Sequence, residues 1–165
     1  MNFVVPDFYP AAAEIFVAVM ALVIMLASTF ARSIARNLAY LLTQATLIAA
    51  AFITIFTMEG EVVLTFSNLF ISDLLGDVLK LMIYFSTAIA LLYGRGYLAD
   101  RKIDKPEYYL LALLMTLGMM VMVTANHMLP MYIGLEMMSL ALYTMVAFDR
   151  DSARSTEAAM KYFVL

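Results

Sequence analysis

Long apolar runs separated by short polar segments dominate the pattern of this chain. A helix needs about 20 apolar residues to cross the hydrocarbon core of a bilayer. We therefore predict membrane-spanning helices at about residues 11–31, 38–58, 74–93, 108–125 and 128–148. A sixth helix begins near residue 153 and is still running at residue 165, so that 153–165 is predicted as an incomplete span. The expected fold is an all-α integral membrane bundle with five complete spans and the start of a sixth, the first portion of a longer membrane protein.

The third apolar run is the weakest, because it contains both Asp77 and Lys80. The alternative to a crossing is an amphipathic helix that lies at the membrane interface. Basic residues follow the first and fifth spans and lie between the third and fourth, whereas the N-terminal tail and the segments 59–72 and 126–130 contain none. Five crossings with the N-terminus outside place every basic loop in the cytoplasm, as the positive-inside rule requires.

Composition agrees with a membrane protein and excludes several other classes. Hydrophobic residues make up 65% of the chain, and its mean hydropathy is +0.91. The net charge of −3, without a basic tract, argues against nucleic acid as a partner. The lack of cysteine excludes disulfides, thiolate metal sites and iron–sulfur ligation by this chain. No standard motif for a dinucleotide, ATP or flavin is present, so we expect no cofactor in this chain.

Glu136 is the only charged residue in the apolar run 128–148. A carboxylate at that depth costs about 2.5–3.5 kcal/mol on insertion scales, and such residues mark ion or proton pathways. Tyr132, Ser139 and Tyr143 share its helix face. We expect this polar stripe to face protein or a hydrated cavity, with Glu136 accepting and releasing a proton. The alternative is a structural stripe, in which a protonated Glu136 is hydrogen-bonded to a neighbouring helix.

Lys161 on the sixth helix is a candidate partner in proton transfer. If that helix enters the membrane near Ser152, Lys161 lies about 14 Å deep, and Glu136 lies about 18 Å from the cytoplasmic end of its own helix. An acid and an amine near mid-membrane are suitable parts of a proton relay. Glu157 lies four residues before Lys161. The alternative is that these two merely form an intrahelical ion pair, and the two interpretations can coexist.

Three further residues are possible auxiliary proton sites. Asp77 and Lys80 lie three apart, one to two turns in from the outer face, which favours a local ion pair with the lysine stem snorkelling outward. The alternative is an additional hydrated proton contact in the third span. His127, the only histidine, lies at the outer mouth between spans four and five, where it is either simply solvated or part of a proton exit. A single histidine cannot form a multi-histidine metal site.

Three short segments of the sequence resemble a known family. Residues 125–127 read ANH, residues 132–143 read YIGLEMMSLALY and residues 157–162 read EAAMKY. Together they resemble the antiporter-like membrane subunits of bacterial NADH:quinone oxidoreductase, respiratory complex I, and among these subunit N. The resemblance implies a multi-pass protein of the bacterial inner membrane, contributing to the proton pathway of a translocase.

The resemblance also implies roles for individual residues and for other subunits. Glu136 would be the membrane glutamate of helix five, Lys161 the lysine of helix six and Glu157 the acid before it. Glu136 would work with a lysine on helix seven. NADH, flavin, iron–sulfur clusters and quinone would be bound by other subunits, and the partners would be other membrane subunits, the lipid bilayer and protons.

Two alternative functions stay open. One is a subunit of a multisubunit sodium/proton antiporter, which shares the fold. The other is a non-transporting membrane scaffold, in which Glu136 joins helices by hydrogen bonding.

Overall fold

The computed structural model describes residues 7–30, 35–58, 60–101, 103–149 and 152–164 of the 165-residue chain. Its described part has six α-helices, with one β-hairpin between the second and the third. The helices are α1 (Ala12–Phe30), α2 (Ala35–Thr57), α3 (Leu74–Asp100), α4 (Pro106–Val123), α5 (Met128–Val146) and α6 (Ala153–Val164), and the strands are β1 (Val63–Thr65) and β2 (Phe70–Ser72). A short 3₁₀ turn, Tyr9–Ala11, precedes α1. The first five helices are long and apolar enough to cross a membrane.

Local signals in the sequence set where two of the helices begin. Asp73 precedes α3 in an extended conformation, and its side chain accepts a hydrogen bond of 2.8 Å from the backbone N–H of Gly76. Such an N-cap satisfies one of the backbone donors left free at a helix start. α4 begins at Pro106, where the missing N–H costs nothing because first-turn donors have no intrahelical partner.

α3 continues seven residues beyond the predicted end of the third span and ends at Asp100. The added segment reads GRGYLAD, so hydropathy gives little sign of it. Helical hydrogen bonds do not require an apolar environment, and the extension has a contact of its own. Arg95 donates a hydrogen bond of 2.9 Å to Asn37 and lies over the ring of Tyr40, 4.3 Å from its centroid. These contacts hold the end of α3 against the start of α2.

Residues 59–72, a loop in the sequence prediction, contain the β-hairpin in their described part. The strands pair antiparallel, with Val63 opposite Ser72 and Thr65 opposite Phe70. Three consecutive turn residues have positive φ angles, 52°, 57° and 65°: Phe66, Ser67 and Asn68. Each strand has only three residues, too short for an alternating pattern to stand out in the sequence. In the part of the chain that the structure describes, these two strands differ from the all-helical fold that the sequence predicts.

α4 lies at the centre of the bundle, in contact with α1, α2, α3 and α5, while α6 packs against α5. The core side chains of α1 recur every three or four positions, the spacing that puts them on one helix face: Ala13, Val17, Ala21 and Ile24. The other buried core side chains come from α2, α3 and α4: Ala39, Leu47, Ala50, Tyr84, Leu91, Tyr109, Ala112, Leu113 and Met120.

α4 and α5 approach so closely that the crossing requires glycine on both helices. A Cβ atom at Gly118 would lie 2.8 Å from the carbonyl oxygen of Gly134, and one at Gly134 would lie 2.7 Å from the carbonyl oxygen of Gly118. Small residues let helix backbones meet in a membrane, where helix association depends on van der Waals packing. The glycine pair therefore fixes α5, and with it Glu136, against the centre of the bundle.

Three segments without Lys or Arg meet at one end of the bundle. We call them the outer cap, and they are residues 7–11, 60–73 and 124–127. The Thr65 hydroxyl donates a hydrogen bond of 2.9 Å to the carbonyl oxygen of Asp7. The Asn126 amide donates one of 2.8 Å to the carbonyl oxygen of Asn68. Side-chain and backbone hydrogen bonds thus join parts of the chain that are far apart in sequence.

The opposite end of the bundle carries the described basic residues of the connecting segments: Arg95, Arg101, Lys105 and Arg154. Arg32, Lys102 and Arg150 lie outside the described residues. Because the helices gather the uncharged or acidic segments at one end and these basic residues at the other, the arrangement supports the predicted orientation with the N-terminus outside.

Candidate functional site

α5 carries Glu136 eight residues after its start at Met128, about 12 Å along the helix axis. The residue is half-buried, and its carboxylate interacts with the hydroxyl of Tyr132 on the same face. Ser139 instead donates its hydroxyl proton to the carbonyl oxygen of Leu135, at 2.8 Å. In the described part of the chain, no ion pair joins Glu136 to a basic residue.

Tyr143 connects the polar stripe of α5 to α6. Its ring packs edge to face on Tyr162 and Phe163, with centroids 5.3 and 5.4 Å apart. Tyr132, at the other end of the stripe, is 58% exposed. The stripe is therefore covered by α6 at one end and open at the other. That the whole stripe faces protein or a hydrated cavity stays a prediction.

α6 holds Lys161 in an ion pair with Glu157, with 2.6 Å between nitrogen and oxygen, and both side chains are more than half exposed. Lys161 lies eight residues from Ala153, about 12 Å along the helix, and Glu136 lies about 15 Å from the end of α5 at Val146. The two are at comparable distances from the α5–α6 connection, but the structure does not join them in an ion pair. The intrahelical pair is present, and the relay stays a prediction.

Beneath the outer cap, three charged side chains lie together. The Lys80 ammonium lies 3.0 Å from Oε1 of Glu14 on α1 and 3.3 Å from Oδ1 of Asp77 on its own helix. Lys80 is only 1% exposed, and the ring of Phe70 lies over its ammonium at 5.7 Å from the centroid. The predicted Asp77–Lys80 pair is present. The prediction that the lysine stem snorkels outward is wrong, because Glu14 and the Phe70 ring hold the ammonium inside.

Glu14 is the member of this cluster that sequence reasoning misses, because alone it marks only the edge of the first span. A signal for it does exist. Glu14 and Lys80 both lie within two turns of helix starts that an N-terminus-outside topology places on the same side of the membrane. Shared depth therefore makes them possible partners, although it does not show that α1 and α3 bring them together.

A row of polar side chains continues from this cluster along the buried face of α3. Four buried residues share that face at spacings of three and four: Asp77, Lys80, Tyr84 and Thr87. Thr54 on α2 donates its only hydroxyl proton to the carbonyl oxygen of Ala50, at 3.0 Å. The Tyr84 hydroxyl lies 3.3 Å from the same Thr54 hydroxyl, and the two are hydrogen-bonded. Deeper in the bundle, the hydroxyls of Thr87 and Thr116 lie 3.5 Å apart.

His127 lies at the start of α5, exposed and in an extended conformation, and its side chain makes no capping hydrogen bond. Its proton-exit role stays a prediction. The residues that the structure describes contain no group of three or more His, Asp or Glu that could hold a metal ion.

The segment that carries Glu136, Glu157 and Lys161 matches a protein-family model. The match covers residues 125–165, and the family is described as NADH:quinone oxidoreductase/Mrp antiporter, TM. Over its whole length, the chain is 80% identical to NADH-quinone oxidoreductase subunit N from Azoarcus sp. (strain BH72) and 50% identical to that from Thioalkalivibrio sulfidiphilus. Over its whole length the chain is thus similar to a part of NADH-quinone oxidoreductase subunit N. It spans about a third of the length of these two relatives, 34% of each.

A solved structure has the same fold as this chain. A chain of respiratory complex I from Thermus thermophilus with bound aureothin superposes with a TM-score of 0.74 and 23% sequence identity, over 92% of this chain and 32% of that one. At that identity the likeness shows the fold alone. The predicted multi-span helical membrane bundle and the resemblance to subunit N are confirmed, and the chain is a multi-pass protein of the bacterial inner membrane.

Proposed function

We propose that this chain forms part of a membrane subunit of a proton-translocating NADH:quinone oxidoreductase, in which Glu136 binds and releases the transported proton. One observation carries the proposal. The only charged residue of α5 lies within the segment 125–165 that matches the family model. A carboxyl group inside the hydrocarbon core is costly, and proteins use such groups on ion and proton paths.

The proposed step is a change in the protonation of Glu136 that follows the movement of a positive partner. A nearby cation favours the ionised carboxylate, so Glu136 takes up a proton when the cation moves away and releases it when the cation returns. The Tyr132 hydroxyl beside Glu136 can hydrogen-bond to the ionised carboxylate. Lys161 passes the proton sideways through side chains and water, and its ion pair with Glu157 balances its charge between transfers.

The redox chemistry belongs to other subunits in this proposal. NADH, flavin, iron–sulfur clusters and quinone are bound there, and this chain contacts further membrane subunits and lipid. The outward faces of α2 and α3 support such surroundings, since Phe56 is 78% exposed and Phe85 is 69% exposed. Large apolar side chains are stable on the outside of a bundle when lipid or other membrane helices cover them.

The test replaces Glu136 with Gln in the intact complex and measures protons moved per NADH oxidised in proteoliposomes. Gln keeps the size of the side chain but cannot carry a proton. We expect pumping per electron pair to fall while the complex still assembles. Glu107→Gln is the matched control, because Glu107 is an exposed acid at the start of α4. Unchanged pumping in Glu136→Gln refutes the role.

The same assay tests the relay through α6. Lys161→Ala removes the amine and should weaken pumping more than it weakens assembly. Lys105→Ala, which removes an exposed lysine just before α4, should leave both unchanged. Equal pumping by the two variants contradicts the relay.

A second candidate is a subunit of a multisubunit sodium/proton antiporter, because the matching family model covers Mrp antiporters as well. Proteoliposomes distinguish the two functions. Proton movement driven by NADH and quinone supports the oxidoreductase, whereas movement driven by a sodium gradient without NADH supports the antiporter. A non-transporting scaffold gives a third result: Glu136→Gln would assemble poorly, yet pump normally whenever it had assembled.

A further inference from the structure

Glu14, Asp77 and Lys80 form a buried charged cluster that the role proposed for Glu136 does not use. The three residues are 7%, 4% and 1% exposed, respectively. Lys80 lies six residues into α3, about 9 Å along the helix from its outer end. Water therefore has little access to the cluster, and its charges must be balanced almost entirely from within.

The cluster has one more carboxyl group than it has ammonium groups. Lys80 donates a hydrogen bond of 3.3 Å to Oδ1 of Asp77, and its nitrogen also lies 3.0 Å from Oε1 of Glu14. No other donor among the described residues reaches either oxygen of Glu14. One ammonium neutralises one carboxylate. With both acids ionised, the buried cluster would therefore hold one uncompensated negative charge.

Among the residues that the structure describes, the elements packed around the cluster supply no second cation. Its three members are the only buried charged residues in the described parts of the chain. The hydroxyl of Tyr84, the next residue of the row on α3, is hydrogen-bonded to Thr54 of α2. The hairpin contributes the ring of Phe70 on the side of the outer cap. A proton is then the remaining positive charge that can bring the cluster to neutrality.

We propose that the Glu14–Lys80–Asp77 cluster is a second proton-binding site, which takes up one proton and holds it on the Glu14 carboxyl group. Asp77 keeps its negative charge because it accepts the hydrogen bond from Lys80. Glu14 releases the proton to water or to another acceptor and becomes a carboxylate, and it returns to the carboxylic acid when it binds a proton again. The site lies on α1 and α3, so it does not depend on the function of Glu136 on α5.

Infrared difference spectroscopy of the intact complex in lipid tests this proposal. The C=O stretching band of a carboxylic acid is separate from the bands of carboxylates, and comparison with a variant isolates one residue. We expect Glu14→Gln to remove one such band at neutral pH, and ¹³C-labelled glutamate to shift it. Glu61→Gln, which changes an exposed acid of the outer cap, should leave the band in place. A band that survives Glu14→Gln, or that the label does not shift, overturns the proposal.

A second variant, Asp77→Asn, tests the proposal even if the Glu14→Gln complex does not assemble. With Asp77 replaced by an uncharged residue, Lys80 has only Glu14 as its partner, and the two form a neutral pair when Glu14 is ionised. The carboxylic acid band should therefore disappear although Glu14 is still present. An unchanged band in the assembled Asp77→Asn complex contradicts the proposal, because protonation of Glu14 would then not depend on charge balance in the cluster.

Discussion

Replacing Gly134 with alanine should force α4 and α5 apart and lower the stability of the bundle. The new Cβ atom would lie 2.7 Å from the carbonyl oxygen of Gly118 and 2.8 Å from the backbone nitrogen of Met122. Ordinary contacts begin at 3.4 Å, so the two helices would have to separate by roughly 0.7 Å, the difference between 3.4 and 2.7 Å. Both neighbours are backbone atoms, which no change of rotamer can move.

The size of the effect follows from this geometry. Extra atoms in a well-packed contact cost about 1–3 kcal/mol. Because side chains cannot relieve the clash at Gly134, we expect a loss in the upper half of that range, about 2–3 kcal/mol. For a domain of 150–250 residues, such a loss lowers the midpoint of thermal unfolding by about 4–12 °C, and the shift is smaller in a longer protein.

The assay heats the full-length protein in mild detergent and measures the fraction that stays monodisperse by size-exclusion chromatography. Gly94→Ala and Gly96→Ala on α3 are matched controls, because a Cβ atom at either position meets nothing within 4 Å. These controls should melt at the unchanged temperature or slightly above it, since alanine favours the helix over glycine. If Gly134→Ala melts at the same temperature as these controls, close backbone contact does not explain the glycines at the crossing of α4 and α5.

Two further substitutions test side-chain contacts between helices. Thr54→Val removes the hydrogen-bond partner of the buried Tyr84 hydroxyl, and leaving that group unpaired should cost about 1–3 kcal/mol. Thr57→Val, at a threonine bonded only within α2, should cost less in the same melting assay, and equal losses would contradict the pairing. Arg95→Met removes the cation above the Tyr40 ring and should cost about 0.5–2 kcal/mol, so an unchanged melting temperature would show that this contact does not stabilise the bundle.

The membrane spans are predictable from the sequence because the thickness of a bilayer sets their length. The fifth apolar run predicts a span at 128–148, and α5 extends from Met128 to Val146. The last two turns of α3 are not predictable in this way, because residues 94–100 lie beyond the apolar run and are held by contacts with α2. The hairpin is not predictable for another reason: its strands have only three residues each, and its contacts with the N-terminal segment and the α4–α5 turn join distant parts of the chain.

The residues of the candidate site also differ in how far the sequence predicts them. Glu136 stands out because it is charged in an apolar run, and Glu157 with Lys161 stands out by a spacing of four on one helix. The contact between Glu14 and Lys80 joins residues 66 positions apart. Helical periodicity shows which residues share a face, but it does not show which face of another helix lies opposite. Such partners follow only from the three-dimensional packing.

The outer cap joins pieces of the chain that leave the ribosome at very different times. The backbone N–H of Ile71 donates to the carbonyl oxygen of Thr124 at 2.9 Å, so the hairpin finds this partner only after α3 and α4 have been inserted. Until Thr124 is available, the outer cap is incomplete and cannot fully cover the position of Glu14 and Lys80. Completion of the outer cap is therefore a late step of biogenesis.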